Sequence, residues 1–486
     1  MSNLKIIAEN ITWIGLSHFI TKPLYFLFMI FVARKLGVED FGKFSFVLAL
    51  IMIFSVFIDF GFNQLTTRDV AKERLLAPKY IANGLTFRII VSVLVYIFIY
   101  TLINLMNYPV DTARSTYIAV AYLIFLSLGS FIYSIFRAFE KIKYESILTI
   151  IEKLSIVFFG SLILILGFGL EALWLIFLIS SAVVFAISII ILLKKVTKFS
   201  LEFNPDFIKK YVKKALPFAV MNIFIIIYFR IDMVMISMMR GDLQVGWYSA
   251  AYKFIEASIL IPNIIMIPIY PVFSKLYVSS IDSLTSIYRR VLKSMIIISL
   301  PIPIVIMFVS DRIITVLYGA SFINATPALV ILTWAIPSIF FTFVLGALLP
   351  AINKQGVNTI STGICMILNI FLNLILIPSY GYLGASVSTV ITEWILCVVL
   401  FGYISIKFIK FNSLVLAKIA LVNISTILIA FSLFKLNTNY MVNIILYLTT
   451  YTALIFYLKI VPKEESEMFL SALRSSKQFF HSAKEL

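Results

Sequence analysis

Apolar residues occur along the chain in runs of 20 or more, and short polar connectors separate the runs. A helix needs about 20 apolar residues to cross the hydrocarbon core of a bilayer, whereas a barrel strand needs about ten of alternating polarity. The pattern therefore predicts an all-α polytopic membrane protein with about 14 transmembrane helices. The predicted spans are residues 10–33, 44–66, 82–106, 115–138, 146–168, 170–193, 215–239, 247–275, 289–310, 327–349, 356–378, 383–406, 413–435 and 440–461.

The composition of the chain agrees with a membrane protein. Of its 486 residues, 62% are hydrophobic and only 13% are charged, whereas soluble domains carry about a quarter charged residues. Lipid offers no water to backbone N–H and C=O groups, so these groups must pair within helices or a closed barrel. The first apolar run lacks the short apolar region and cleavage site of a signal peptide, and we expect it to be retained as a span.

Lysine and arginine residues concentrate in alternate connectors. If the N-terminus is cytoplasmic, 27 of the 40 basic residues lie on the inner side, seven lie on the outer side and six lie within spans. Because inner connectors are enriched in Lys and Arg, this asymmetry predicts a multi-pass protein of the cytoplasmic (inner) membrane with both termini in the cytoplasm. The net charge of +17 belongs to these connectors, so we expect no nucleic-acid binding.

The two halves of the chain repeat similar motifs. Phe41-Gly42-Lys43-Phe44-Ser45 opens the second predicted span, and Val245-Gly246-Trp247-Tyr248-Ser249 opens the eighth, 204 residues later. Further matches at a constant offset of 213 residues pair Ala138 with Ala351, Lys141 with Lys354, Leu170 with Leu383 and Ala172 with Ala385. Six spans in each half give both halves the same topology, which predicts two facing lobes related by a pseudo-twofold axis along the membrane normal. Such lobes enclose a central cavity with alternating access.

The repeat defines the predicted domain organisation. It comprises an N-lobe at 1–194, a linker at 195–214, a C-lobe at 215–407, two extra spans at 408–461 and a cytoplasmic tail at 462–486. The linker has one apolar and one basic helical face, formed by Phe207, Ile208, Tyr211 and Val212 and by Lys209, Lys210, Lys213 and Lys214. These faces predict an amphipathic helix on anionic lipid headgroups, with ordinary inner-loop charge as the alternative.

Ionisable residues inside the spans are the candidate functional residues. A charge at mid-bilayer costs about 2.5–3.5 kcal/mol, so it usually faces a cavity or a partner. Four basic residues predict a cationic cavity for an anionic headgroup: Lys22, Arg88, Arg230 and Lys253. Five further residues are candidates for ion coupling or charge balance: Asp232, Glu256, Glu393, Glu152 and Lys153.

Simpler explanations exist for several of these charges. Lys253 and Glu256 are three residues apart and can pair within one helix. Arg88 and Lys153 lie near the inner ends of their spans and can extend to the interface. Asp232 and Glu393 are the best candidates for a proton or coupling-ion site, although a carboxylate in a span often only balances a neighbouring base.

Prolines inside the spans predict bends, because each removes a backbone hydrogen bond. They fall in spans 1, 7, 8 and 9, at Pro23, Pro217, Pro262, Pro268, Pro271, Pro301 and Pro303. Bent helices around a cavity can change its access, although proline is also common in ordinary membrane helices.

No catalytic constellation is present in the sequence. It has no glycine-rich phosphate loop, zinc motif or nucleophile elbow, and we expect neither enzymatic activity nor a cofactor. Cys365 and Cys397 lie singly in apolar runs, and His18 and His481 cannot form a cluster, so we expect no metal site.

Several short motifs of the chain resemble those of a known family. In the first half they are Ala33-Arg34-Lys35-Leu36-Gly37-Val38-Glu39-Asp40-Phe41-Gly42, Asp59-Phe60-Gly61 and Arg68-Asp69-Val70-Ala71. In the second half they are Arg230-Ile231-Asp232 and Val245-Gly246-Trp247-Tyr248-Ser249-Ala250-Ala251-Tyr252. They resemble Wzx-type polysaccharide (O-antigen-type) flippases of the multidrug/oligosaccharidyl-lipid/polysaccharide (MOP) exporter superfamily, over essentially the whole chain.

The resemblance implies a flippase that carries an oligosaccharide linked to an undecaprenyl- or dolichyl-type diphosphate from the cytoplasmic to the outer leaflet. It also implies that basic cavity residues hold the diphosphate or acidic sugars, at Lys22, Arg88, Arg230 and Lys253. The lipid tail would lie near spans 13 and 14. The expected partners are the lipid-linked oligosaccharide, membrane lipids and polysaccharide polymerase or assembly proteins, and we expect the protein to act as a monomer.

Two other functions remain open from the sequence. A drug or cation antiporter of the same superfamily should have an excess of acidic cavity residues and twelve spans. A membrane-embedded polysaccharide polymerase should have large connectors with acidic or catalytic clusters, whereas the longest connector here has about 20 residues and is rich in lysine.

Overall fold

Helices form every regular element in the part of the chain that the structure describes. The computed structural model describes residues 3–199, 202–409, 418, 421–429, 432, 440–458 and 460. Its α-helices are α1 (Asn3–Asp59), α2 (Phe62–Lys72), α3 (Ala77–Leu105), α4 (Val110–Ala138), α5 (Ile142–Ile165), α6 (Leu170–Lys195), α7 (Pro205–Arg240), α8 (Asp242–Ser258), α9 (Leu260–Ser279), α10 (Ile281–Ser299), α11 (Pro301–Tyr318), α12 (Thr326–Thr333), α13 (Ala335–Ala351), α14 (Gln355–Tyr380), α15 (Tyr382–Lys407) and α16 (Tyr440–Tyr457).

The number of membrane spans agrees with the sequence. Among the described residues, 11 helices are long and apolar enough to cross a membrane, or 12 with one bent pair counted as a span. The first of them, Thr12–Lys72, has 61 residues and would be about 90 Å long as one rod, three times the hydrocarbon thickness. Its backbone breaks at Gly37, where φ is 78° and ψ is 179°, so it contains two predicted spans. Every other predicted span except 413–435 corresponds to one helix or to two consecutive helices, and 413–435 lies mostly outside the described residues.

Proline explains where the predicted spans 8, 9 and 10 break into two helices. A proline ring clashes with the carbonyl group four residues earlier. Pro262 and Pro337 lie four residues after Ser258 and Thr333, which end α8 and α12. Pro301 begins α11, where its missing N–H costs nothing. Helix breaks therefore occur at Pro262 and Pro301, two of the prolines for which bends were predicted. The other helices continue through their prolines: α1 through Pro23, α7 through Pro217, and α9 through Pro268 and Pro271.

Contacts divide the chain into two compact units. Unit 1 comprises Met1–Leu260, Asp311–Ala335 and Asn353–Leu396, and unit 2 comprises Ile261–Ser310, Ile336–Ile352 and Cys397–Leu486. In unit 2, the hydroxyl of Tyr451 in α16 donates to the backbone carbonyl of Ile297 in α10 at 2.9 Å. All nine residues singled out from the sequence lie in unit 1. The lobe boundaries at residues 194 and 215 stay a prediction.

An apolar core in unit 1 joins five helices. Phe62, Ile81, Phe131, Val184 and Tyr211 belong to it, from α2, α3, α4, α6 and α7, and each is buried. Lipid tails are as apolar as these side chains, so close packing rather than the exclusion of water holds such helices together in a membrane.

The predicted linker helix is the first part of span 7 rather than a separate element. Helix α7 begins at Pro205, capped by the side chain of Asn204, and runs for 36 residues without a break. The Tyr211 ring stacks on Phe62 with centroids 3.9 Å apart, and Phe207 meets Tyr80 edge-on at 5.1 Å. The apolar face expected to touch lipid therefore packs on α2 and α3, while the four lysines of the opposite face are exposed.

Candidate functional site

Helices α7 and α8 hold a triad of charged side chains in unit 1. Nη1 of Arg230 donates to Oε1 of Glu256 at 2.6 Å, and Nζ of Lys253 donates to Oε2 of the same carboxylate at 2.7 Å. The side chains of Arg230, Lys253 and Glu256 are 18%, 10% and 27% exposed. The expected pairing of Lys253 with Glu256 within one helix is thus present. The triad is therefore partly exposed rather than sealed in the helix core.

Tyr25 of α1 lies beside the triad and connects it to α5. Its hydroxyl interacts electrostatically with Arg230, Glu256 and Lys153. The Lys153 ammonium lies 5.3 Å from the centroid of the Tyr25 ring, a cation–π distance, and 3.4 Å from Oε1 of Glu152. We call Arg230, Lys253, Glu256, Lys153 and Glu152 the charged cluster. It has three basic and two acidic members and therefore a surplus of positive charge.

Lys22 lies on α1 one helical turn from Tyr25. It precedes Tyr25 by three residues, so the two side chains share a face of the helix. Lys22 is exposed, and none of the ion pairs within the described residues includes it. The structure therefore places Lys22 as an exposed cation on the helix face that leads to the charged cluster.

Arg88 lies apart from the charged cluster, in the interior of the first half. Its guanidinium donates to the side chains of Asp59 at 2.5 Å and Asn63 at 3.0 Å, and to the hydroxyl and carbonyl of Ser127 at 2.6 and 3.0 Å. It also lies over the Phe131 ring, 4.7 Å from the centroid. Arg88 is fully buried among these protein partners and does not extend to the interface. Its role as a cavity residue stays a prediction.

Asp232 is the centre of a separate polar network. Its Oδ2 accepts hydrogen bonds from the hydroxyls of Tyr248 at 2.6 Å and Thr389 at 2.7 Å, and its Oδ1 accepts one from the amide of Asn373 at 2.6 Å. Asp232 is 3% exposed, and no described basic residue pairs with it. The amide oxygen of Asn373 is buried and lacks a hydrogen-bond partner. Oxygen ligands of this kind suit a proton or a hard cation.

Glu393 is the second buried carboxylate near this network. It is 3% exposed and interacts electrostatically with Asp232. The hydroxyl of Tyr228 donates to the adjacent Thr392 at 3.2 Å. The hydroxyl of Tyr252 interacts with both carboxylates, and also with Arg230 and Glu256 of the charged cluster. The two best candidates for ion coupling, Asp232 and Glu393, therefore lie near each other, and Tyr252 lies near both of them and the charged cluster.

Comparison with known families identifies the chain. The family model described as "Polysaccharide biosynthesis protein" matches residues 7–277, which is more than half of the sequence. The chain belongs to this family. A second family model, described as MatE, matches residues 217–375. The predicted membership of the MOP superfamily is confirmed.

Curated relatives of the chain come from archaea and bacteria. It is 25% identical over 415 residues to the "Probable low-salt glycan biosynthesis flippase Agl15" of Haloferax volcanii, covering 84% of each chain. It is 22% identical over 397 residues to the "Capsular polysaccharide biosynthesis protein CapF" of Staphylococcus aureus, covering 80% of this chain and 96% of that protein. The similarity thus extends across most of each protein.

Solved structures show the same fold. The lipid II flippase MurJ in an inward closed conformation matches with a TM-score of 0.76 and 18% identity, over 93% of this chain and 99% of that chain. An inward-facing multidrug resistance MATE family transporter of the MOP superfamily matches with a TM-score of 0.66 and 15% identity, over 82% and 98%. The family member described here is therefore a multi-pass membrane protein with the helical fold of these transporters.

Two glycines of the repeated motifs lie where the two segments that carry these motifs meet. A methyl group added to Gly42 would overlap the backbone carbonyl oxygen of Asp242, and one added to Gly246 would overlap that of Val38. The contact is reciprocal, because the offset of 204 residues relates Gly42 to Gly246 and also Val38 to Asp242. Residues 38–42 and 242–246 thus pack against each other with backbone contact, at the predicted outer ends of their spans.

Sequence reasoning missed the uncharged members of both groups. Tyr25, Tyr248, Asn373 and Thr389 complete the charged cluster and the Asp232 network, yet none is unusual in a membrane helix. A signal existed for Tyr248, which lies inside the repeated motif. For the other three no signal was present, because their partners lie on other helices.

Proposed function

We propose that this protein is a flippase that moves a polyprenyl-diphosphate-linked oligosaccharide repeat unit from the cytoplasmic to the outer leaflet by alternating access. The observation that carries the proposal is the charged cluster, which has a surplus of positive charge and partly exposed side chains on membrane-spanning helices. The glycan flippase and capsule biosynthesis relatives support it. No catalytic step is part of the proposal.

Electrostatics explains why such a carrier needs the cluster. A diphosphate cannot enter hydrocarbon alone, because a charge without water or a partner is very costly there. Arg230 can bind two phosphoryl oxygens at once, while Lys253 and Lys153 supply compact positive charges. Lys22, nearer the predicted cytoplasmic end of α1, would meet the headgroup before the cluster does.

The membrane, the topology and the partners of the protein follow from the family resemblance. The protein would lie in the cytoplasmic membrane with both termini inside, as the 27 inner basic residues favour. It would act as a monomer that receives its substrate from lipid and delivers it to a polymerase or assembly protein. The lipid tail would follow predicted spans 13 and 14, and span 13 lies mostly outside the described residues.

Deletion of the gene in its host should cause lipid-linked repeat units to accumulate in the inner leaflet, because they would have no route through the hydrocarbon. A membrane-impermeant glycosidase applied to intact and to opened cells measures which leaflet holds them. We expect the wild-type gene to restore export, Lys22→Ala to restore it partly, and Arg230→Ala to fail.

Arg74→Ala is the matched control for this experiment. Arg74 pairs with Glu140 at 3.3 Å with both side chains more than half exposed, and such pairs contribute little. It should restore export fully. A deletion strain with normal surface glycan would refute the flippase, and full rescue by both Lys22→Ala and Arg230→Ala would refute the cationic site.

We further propose that Asp232, Asn373 and Thr389 bind a proton or a monovalent cation that drives the cycle. The buried carboxylate without a basic partner and the unpartnered amide oxygen of Asn373 favour this role. They also keep the ion-coupled antiporter open as a second function. The composition of the charged cluster favours the flippase, because a site for cationic drugs should be mainly acidic.

The coupling ion should raise the melting temperature of the purified wild-type protein, since a ligand that binds only the folded state stabilises it. Asp232→Asn removes the charge that holds the ion, so its melting temperature should not respond. Thermal unfolding in sodium, lithium, potassium or choline chloride, each at two pH values, measures the effect. Asp282→Asn, at an exposed position outside the network, should behave as wild type. If the melting temperatures of Asp232→Asn and wild type respond equally to every ion and pH, Asp232 does not bind the coupling ion.

A further inference from the structure

Glu256 is an acidic residue at the centre of a site proposed for an anion. Its two carboxylate oxygens each accept a hydrogen bond from a different cation, Arg230 on α7 and Lys253 on α8. It is also the most exposed of the three side chains. The carboxylate therefore occupies donors of both cations and is itself the most accessible member of the triad.

On the basis of the proposed function, we propose that Glu256 is an internal competitor for the headgroup, which occupies the anion subsite between Arg230 and Lys253 until a phosphate displaces it. In the exchange, the N–H donors of both cations transfer from carboxylate oxygens to phosphoryl oxygens. No covalent bond forms or breaks. The number of charge-assisted hydrogen bonds is conserved, so exchange replaces one set of strong bonds by another.

Competition of this kind serves a carrier, because a carrier must release what it binds. Without Glu256, Arg230 and Lys253 would hold a diphosphate through uncompensated charge-assisted bonds, and release on the far side would become slow. With Glu256 in place, the carboxylate re-forms its two ion pairs as the headgroup departs. Binding strong enough for entry but weak enough for exit is the general requirement for conduction across a membrane.

A purely structural role for Glu256 predicts the opposite result. If the carboxylate only held Arg230 and Lys253 in position, its removal would loosen both cations and weaken anion binding. If it competes, removal frees both cations and strengthens binding. The direction of the change in affinity therefore distinguishes the two roles.

The test uses inorganic pyrophosphate as the probe and the purified full-length protein, with affinity measured by titration calorimetry at fixed ionic strength. Glu256→Gln should bind pyrophosphate about ten- to a hundredfold more tightly than wild type, the effect of one freed ionic hydrogen bond. In proteoliposomes, the same variant should lower both KM and kcat for the lipid-linked substrate, because binding improves while release slows. A merely structural defect would raise KM.

Glu145→Gln is the matched control, because Glu145 also accepts from an arginine, Arg137, at 2.7 Å but lies outside the charged cluster. Glu145→Gln changes the net charge by the same amount as Glu256→Gln, but it should leave the affinity for pyrophosphate unchanged. Glu256→Asp is a second variant if Glu256→Gln fails to fold; its shorter side chain reaches one cation only, and its affinity should be intermediate.

The competitor role of Glu256 is refuted if its variants bind pyrophosphate no more tightly than wild type. It is also refuted if neither wild type nor variant binds pyrophosphate. A different result would overturn the proposed function instead. In that result, wild type binds pyrophosphate and Glu256→Gln binds it more tightly, yet the wild-type protein moves no lipid-linked glycan. The two failures are therefore distinguishable.

Discussion

Alanine at Gly42 or at Gly246 should reduce lipid-linked glycan transport at least about tenfold. A methyl group at either position overlaps a backbone carbonyl oxygen of the opposite segment, at Asp242 or Val38. Backbone atoms inside helices cannot move aside as a flexible side chain can, so residues 38–42 and 242–246 must separate. If this contact closes the predicted outer end during each cycle, a protein that cannot form it cannot complete the cycle.

Spin labels at Glu39 and Leu243, which are exposed on the two segments, measure the separation directly. The distance between them should lengthen in Gly42→Ala, and flipping in proteoliposomes should fall in parallel. Gly129→Ala provides the control, since no atom lies within 4 Å of the added methyl group. Wild-type transport by Gly42→Ala with an unchanged label distance would mean that the segments tolerate the methyl group and that their contact is not a closure.

Replacing Arg88 by alanine should destabilise the protein by about 3–5 kcal/mol, the usual cost of breaking a buried ion pair. The change removes four hydrogen bonds and leaves Asp59 without its cation inside a span. The melting temperature of the purified protein measures the loss. The double variant Arg88→Ala with Asp59→Ala should recover part of it, because no unpaired carboxylate remains.

Lys22→Ala is the comparison that separates the two intramembrane cations. Lys22 is exposed and belongs to none of the ion pairs among the described residues, so its removal should leave the melting temperature unchanged while transport falls. Arg88→Ala should lower both the melting temperature and transport. In the double variant with Asp59→Ala, transport should recover to the extent that the melting temperature does. If the Arg88→Ala protein is stable and loses only pyrophosphate binding, Arg88 contacts the headgroup after all.

Features that depend only on nearby residues in the sequence were predicted correctly. Hydrophobic length predicted the spans, because the bilayer fixes the length of a crossing helix. The pairing of Lys253 with Glu256 was predictable from a separation of three residues. Proline positions indicated the breaks in spans 8 and 9, and the same four-residue rule explains the break before Pro337, which we did not predict.

Long-range packing decided what the sequence could not. Arg88 and Asp59 lie 29 residues apart on different helices, and nothing in either span indicates that the two face each other. The linker helix looked interfacial because its apolar face had no visible partner, whereas Phe62 and Tyr80 on other helices cover it. Neutral residues such as Tyr25 became site residues only through their neighbours.

Helix α7 carries members of both the charged cluster and the Asp232 network, two residues apart in one unbroken rod. In an α-helix that spacing turns the side chains about 200° and separates them by about 3 Å along the axis, so Arg230 and Asp232 face nearly opposite directions. A small rotation of α7 would therefore change the surroundings of both side chains at once. Any factor by which the ion alters headgroup affinity must then equal the factor by which the headgroup alters ion affinity. Measuring the linkage in one direction gives it in the other.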